Sequence, residues 1–167
     1  MKPEHKDEFK SNLVKLYAYL RKELKLKHAP KVILVSDPKN ANKMLGKTAY
    51  YDPDKKSIHL FIINRHPKDI LRSFSHEVVH HWQHENEQLQ TIKTKGKTGE
   101  DPQYAQHDPW LRQMEKQAYL LGNIMFRDFE DKKKDEDRKS GKTEPVKKEN
   151  TLLIGKQYPS KKHSYKV

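Results

Sequence analysis

Between residues 67 and 87 the apolar side chains Ile70, Leu71, Phe74, Val78 and Trp82 gather on one side of a helical wheel, and His76 and His80 fall roughly opposite them. Pro67 suits the first turn of that helix, and Asp69 lies near its positive end. An apolar stripe of this kind has to be buried, so the helix is anchored to a core while its other face turns two imidazoles toward a cleft.

The polar face reads His76-Glu77-Val78-Val79-His80, an H-E-x-x-H sequence. At about 100° per residue, four residues advance roughly 400°, so the two histidines project about 40° apart and one turn from each other. Two imidazoles so placed can share one metal ion. Glu77, about 100° round from His76, leans over the position left open and can take a proton from a water there. The plainer alternative is a pair of surface histidines on an amphipathic helix, with Glu77 an ordinary helix charge.

Catalytic zinc takes three protein ligands and a water, so a further His, Asp or Glu must arrive from elsewhere. His84 is one turn further along the same helix, and its backbone is about 12 Å from that of His76, too far to share the ion. The metzincin pattern wants glycine and histidine where this chain has Gln83 and Asn86, which excludes that class. Glu115 is the strongest candidate. It is the carboxylate in the interior of a second amphipathic helix, beside the stripe Leu111, Met114, Ala118, Leu121 and Met125 that follows Asp108-Pro109. Its plainer role is a rim glutamate paired with Arg112 or Lys116.

The rest of the chain supplies a small scaffold. Phe9, Leu13, Leu16, Leu20 and Leu24 mark a helix over residues 4–27, closed by Pro30. Residues 31–36 form a short buried strand, and the runs 48–52 and 57–64 flank the turn around Pro53 as a hairpin. His59 in the third run is read as a half-buried neighbour. Residues 88–108 are polar, with two glycines and Pro102, and describe a long surface loop.

From residue 131 onward the chain carries 12 basic and 6 acidic residues, too much charge to bury, and is read as disordered. Residues 151–154 are a brief apolar patch within it, either a docking strand or an undocked run, and the undocked reading is preferred. The expectation is an α+β domain over residues 1–130, followed by a basic, disordered tail over 131–167. The domain holds a small three-stranded sheet, an N-terminal helix, the H-E-x-x-H helix and a glutamate helix.

The chain has no cysteine, which removes disulfides, thiolate ligands and a cysteine nucleophile, so a metal must be held by His, Asp and Glu. The charged N-terminus predicts no signal peptide, no apolar run approaches spanning length, and the expected location is cytoplasmic. The net charge of +12 comes mostly from lysine, which favours weak attraction to nucleic acid or acidic partners over specific readout.

With His76, Glu77, His80 and a downstream Glu115 followed by Ala118 and Tyr119, the chain resembles the gluzincin zinc metallopeptidases. The order of helix, three strands, H-E-x-x-H helix and glutamate helix looks most like the minigluzincins, and ImmA/IrrE-like peptidases are similar. The resemblance spans the first strand to Phe129. It implies zinc on His76, His80 and Glu115, Glu77 as general base, and a peptide or protein substrate. It further implies that Leu60, Phe61, Ile62 and Ile63 form the strand that pairs with substrate, and that Tyr104, His107 or Tyr119 stabilises the oxyanion. One departure is that the Asp many gluzincins carry four residues after the glutamate is Tyr119 here, so another group must orient an imidazole. The alternative is a basic nucleic-acid-associated protein, either non-enzymatic or like the SprT-like DNA-associated proteases, in which His107 would be the third ligand.

Overall fold

The computed structural model describes residues 3–86, 109–139 and 150–158. The elements run α1 (Pro3–Leu24), β1 (Lys31–Val35), α2 (Pro38–Ala41), β2 (Ala49–Asp52), β3 (Ser57–Phe61), α3 (Pro67–Glu85), α4 (Pro109–Lys139) and β4 (Ile154–Gln157). The fold is α+β, as expected, with a fourth strand in the sheet.

Local chemistry sets the boundaries. Helix α1 stops where Lys25 turns to positive φ, letting the Leu26 amide close back on the Arg21 carbonyl at 3.1 Å before Leu26 enters the core. The hairpin turns on Asp52, whose carboxylate accepts the amides of Asp54 (3.0 Å) and Lys55 (3.3 Å). His66 caps α3 by accepting the Lys68 amide, ahead of Pro67.

The sheet order is β2-β3-β1-β4, with β2 antiparallel to β3 and with β1 parallel to both β3 and β4. Alternation along the strands divides two faces. Val32, Leu34, Tyr51, Ile58 and Leu60 enter the main core, and Val35, Tyr50 and Phe61 form a small cluster on the reverse side. His59 stacks on Tyr50 there, centroids 4.4 Å apart, and is buried rather than half-buried.

Helix α3 is central, in contact with β2, β3, α1 and α4. Ile70, Phe74 and Val78 are fully buried beside Phe9, Leu13, Leu16 and Leu20 of α1, and Leu111, Met114 and Ala118 of α4 join the same core. Burying each large aliphatic chain contributes about 1.5–3 kcal/mol.

Two expectations are corrected. The chain beyond residue 130 is not wholly disordered: α4 continues to Lys139, and Lys133 Nζ donates to Asn12 of α1 at 2.7 Å while Lys132 lies over the Tyr19 ring. The apolar patch at 151–154 does dock. Leu152 is buried, and β4 pairs with β1 from Val32–Ile154 to Val35–Gln157, so backbone hydrogen bonds recruit a strand that is too polar to be read as one. The loop expected over residues 88–108 lies outside the described residues.

Candidate metal centre

His76 and His80 stand one turn apart on α3, and Glu115 reaches them from α4. Glu115 Oε1 lies 2.6 Å from His76 Nε2, and its Oε2 lies 3.1 Å from His80 Nε2. One donor atom from each residue falls within 4.8 Å of the other two, close enough to hold one metal ion. Burial alone would push the Glu115 carboxyl up, but the hydrogen bonds and charges of His76 and His80 hold it well below the usual carboxylate range. A carboxylate is therefore presented to the two imidazoles. The chemistry of this donor set, two imidazole nitrogens and a carboxylate oxygen, fits a borderline cation such as zinc.

The three residues meet because the helices approach closely. A Cβ built on Gly122 of α4 would sit 2.9 Å from the Cα and 3.0 Å from the N of His76. Only glycine permits that approach without a shift of backbone. The contact lies two turns from Glu115, so it sets how far the carboxylate stands from α3.

Glu77 is buried, and its Oε2 has no hydrogen-bond partner. Burial pushes its carboxyl up to about 8; His76 pulls the other way and Glu115 adds to the rise. An unpartnered buried carboxylate oxygen costs free energy unless a proton, a cation or a bound molecule meets it. Glu77 lines a cavity of about 410 Å³ together with His76 and Glu115. Residues 45–49 form the other wall, and Arg72, Ser73, Tyr119 and Asn123 complete it.

Arg65 fixes the 45–49 wall to α3. Its guanidinium donates to the carbonyls of Thr48 (2.9 Å) and Phe61 (3.0 Å), and to the Asp69 carbonyl (3.2 Å) and Ser73 Oγ (2.8 Å). One planar fork thus joins the segment entering β2, the end of β3 and the first turns of α3.

Gln83, fully buried, contacts the centre from behind: His80 Nδ1 lies 2.9 Å from its Oε1, and its Nε2 donates to the Met114 carbonyl (2.9 Å) and to Gln117 Oε1 (2.8 Å). His84 belongs to another group. Its Nδ1 is 3.0 Å from the Tyr51 hydroxyl, which also lies 2.9 Å from His81 Nδ1. His81 donates from Nε2 to the His28 carbonyl, so its Nδ1 accepts from Tyr51, and Tyr51 accepts in turn from His84. Burial lowers the His81 pKa and raises that of Tyr51, keeping both neutral, and Glu85 caps the amides of Lys27 and His28. This network ties α3 to the segment before β1.

Of the site residues expected from sequence, His76, Glu77, His80, Glu115 and Tyr119 come together. Tyr104 and His107 lie outside the described residues. The expected substrate strand is corrected: β3 is paired on both sides, by β2 and β1, so Leu60 and Phe61 cannot pair with a further chain, and Ile62 and Ile63 lie beyond the strand. Among the described residues β2 is the outer strand on this side of the sheet. Gln83, Gly122 and Arg65 were missed. Gln83 offered one signal, a polar residue three positions after His80 in a helix whose neighbours are buried.

Comparison of the chain with protein-family models, with curated proteins and with solved structures finds no match. No described helix is long and apolar enough to cross a membrane.

Proposed function

We propose that the protein is a zinc-dependent peptidase, with the metal on His76, His80 and Glu115. The observation that carries this reading is the convergence of those three donors within 4.8 Å beside a buried glutamate with an unpartnered oxygen. A zinc ion held there by His76, His80 and Glu115 would supply a Lewis acid for the scissile carbonyl and lower the pKa of a water.

The chain's own groups do the proton work. Glu77, raised by burial, accepts the proton of the attacking water and later returns it to the leaving amine. Tyr119 lines the cavity and is assigned as the donor to the oxyanion, because it is the described candidate on that wall. The peptide lies between residues 45–49 and the α4 wall of Tyr119 and Asn123, and the solvated mouth of that cavity suits an extended chain. The resemblance to gluzincins rests on the same residues. The SprT-like alternative would take His107 as its third ligand, and the approach of Glu115 to His76 and His80 favours the glutamate set over it.

Replacing Glu77 by Gln keeps the shape of the side chain and removes its basicity. Cleavage of an unfolded protein substrate should fall on the order of 10²–10⁴-fold with zinc content unchanged. Full activity in Glu77→Gln would refute the role.

A further inference from the structure

We propose that Gln83 is the positioning residue of the metal centre: a single buried amide fixes the tautomer of His80 and holds α4 in the register that delivers Glu115. The proposal rests on the zinc reading for its consequence, although its geometry stands apart from it.

The two ends of an amide have the same shape, so the neighbours must decide which end points where. The Met114 carbonyl decides it. That backbone oxygen can only accept, so the atom 2.9 Å away is the Gln83 nitrogen, and Gln117 Oε1 at 2.8 Å takes its second hydrogen. The Gln83 oxygen therefore faces His80, and because it can only accept, His80 Nδ1 carries the hydrogen across 2.9 Å. With the ring neutral, the lone pair of His80 falls on Nε2, which faces Glu115 Oε2 at 3.1 Å. Two electron-rich atoms so close are stabilised by a positive charge shared between them, a proton on Nε2 in the metal-free chain or a metal ion in its place.

The other half of the amide acts on the partner helix. Met114 immediately precedes Glu115 and Gln117 follows it by two positions, so the two bonds from Gln83 Nε2 bracket the glutamate. A slip of α4 by one residue would move Glu115 by about 1.5 Å along the axis and about 100° around it. Such a slip breaks both bonds and leaves a fully buried amide unpaired. A glutamate at position 83 would accept from His80 but could not donate to Met114, which is why an amide answers both demands. Gln83 thus takes over the orienting role left open by Tyr119.

The test uses the full chain. In metal-free wild type, ring nitrogen shifts in NMR at a pH that keeps the imidazole neutral should show His80 protonated on Nδ1. In Gln83→Met, with circular dichroism unchanged, the ring should populate both tautomers, and zinc affinity, measured by competition with a chromophoric chelator, should fall about 10–100-fold. A wild-type His80 protonated on Nε2, or a folded Gln83→Met that keeps wild-type affinity, would overturn the proposal. If Gln83→Met does not fold, the wild-type tautomer alone decides. If wild type binds no zinc, the zinc reading fails while the tautomer still decides the part played by Gln83.

Discussion

At the residue scale the centre is a set of polar side chains held where water is scarce, and Glu77 shows the cost most directly. Its carboxyl is raised by burial to about 8 from an ordinary value of 4.5, so the folded chain holds that proton more tightly than the unfolded chain. A raised carboxyl contributes stability that is complete below the unfolded value and is lost as pH climbs through the folded one. In metal-free protein this window runs from about 4.5 to about 8. Glutamine does not titrate, so the stability of metal-free Glu77→Gln relative to wild type should increase from pH 5 to pH 9, on the order of a few kcal/mol. Denaturant unfolding at several pH values measures it, and a difference independent of pH would show that Glu77 is not buried as described. His76, Glu77 and His80 were legible because the rule behind them is local: four residues advance about one turn and a ninth. Gln83 was not. Its work depends on a carbonyl from another helix, and no spacing within α3 announces which carbonyl that will be.

At the element scale the site is the crossing of α3 and α4, and Gly122 sets its depth. Alanine in place of a mid-helix glycine ordinarily stabilises by about 0.5–1 kcal/mol. Here the added methyl meets the backbone of His76, so Gly122→Ala should instead destabilise, by about 1–3 kcal/mol, and weaken zinc binding as Glu115 is lifted away. Urea unfolding and zinc competition read the two effects, and a gain in stability with unchanged affinity would show that the crossing is looser than described. The three long helices and the hairpin were legible because each carries its own period or turn chemistry, whereas the short α2 and the run of α4 past residue 130 were not read. Leu111, Met114, Ala118 and Met125 are buried where the stripe put them. Strand order was not legible, since the pairing of β1 with β3 and β4 joins segments far apart in sequence. For that reason β3, expected at the edge, is interior, and β4 was passed over inside a charged stretch where, among the described residues, only Leu152 is buried.

At the scale of the whole molecule the described residues build one main core and a small cluster behind the sheet, and α3 lies at the centre of the main core with the candidate metal donors on the side that meets α4. The charge of +12 speaks to surface attraction and had little to say about fold. Its lysines nevertheless serve packing where α4 meets α1, at Lys132 and Lys133. An ion shared by His76, His80 and Glu115 would join two helices through residues 39 apart in sequence, so metal binding would stabilise the fold by linkage. Elemental analysis of purified wild type beside Glu115→Ala and His107→Ala examines that join directly. One zinc per chain is expected in wild type and in His107→Ala, with none retained in Glu115→Ala. Zinc absent from wild type, or lost with His107 and kept without Glu115, would contradict the centre described.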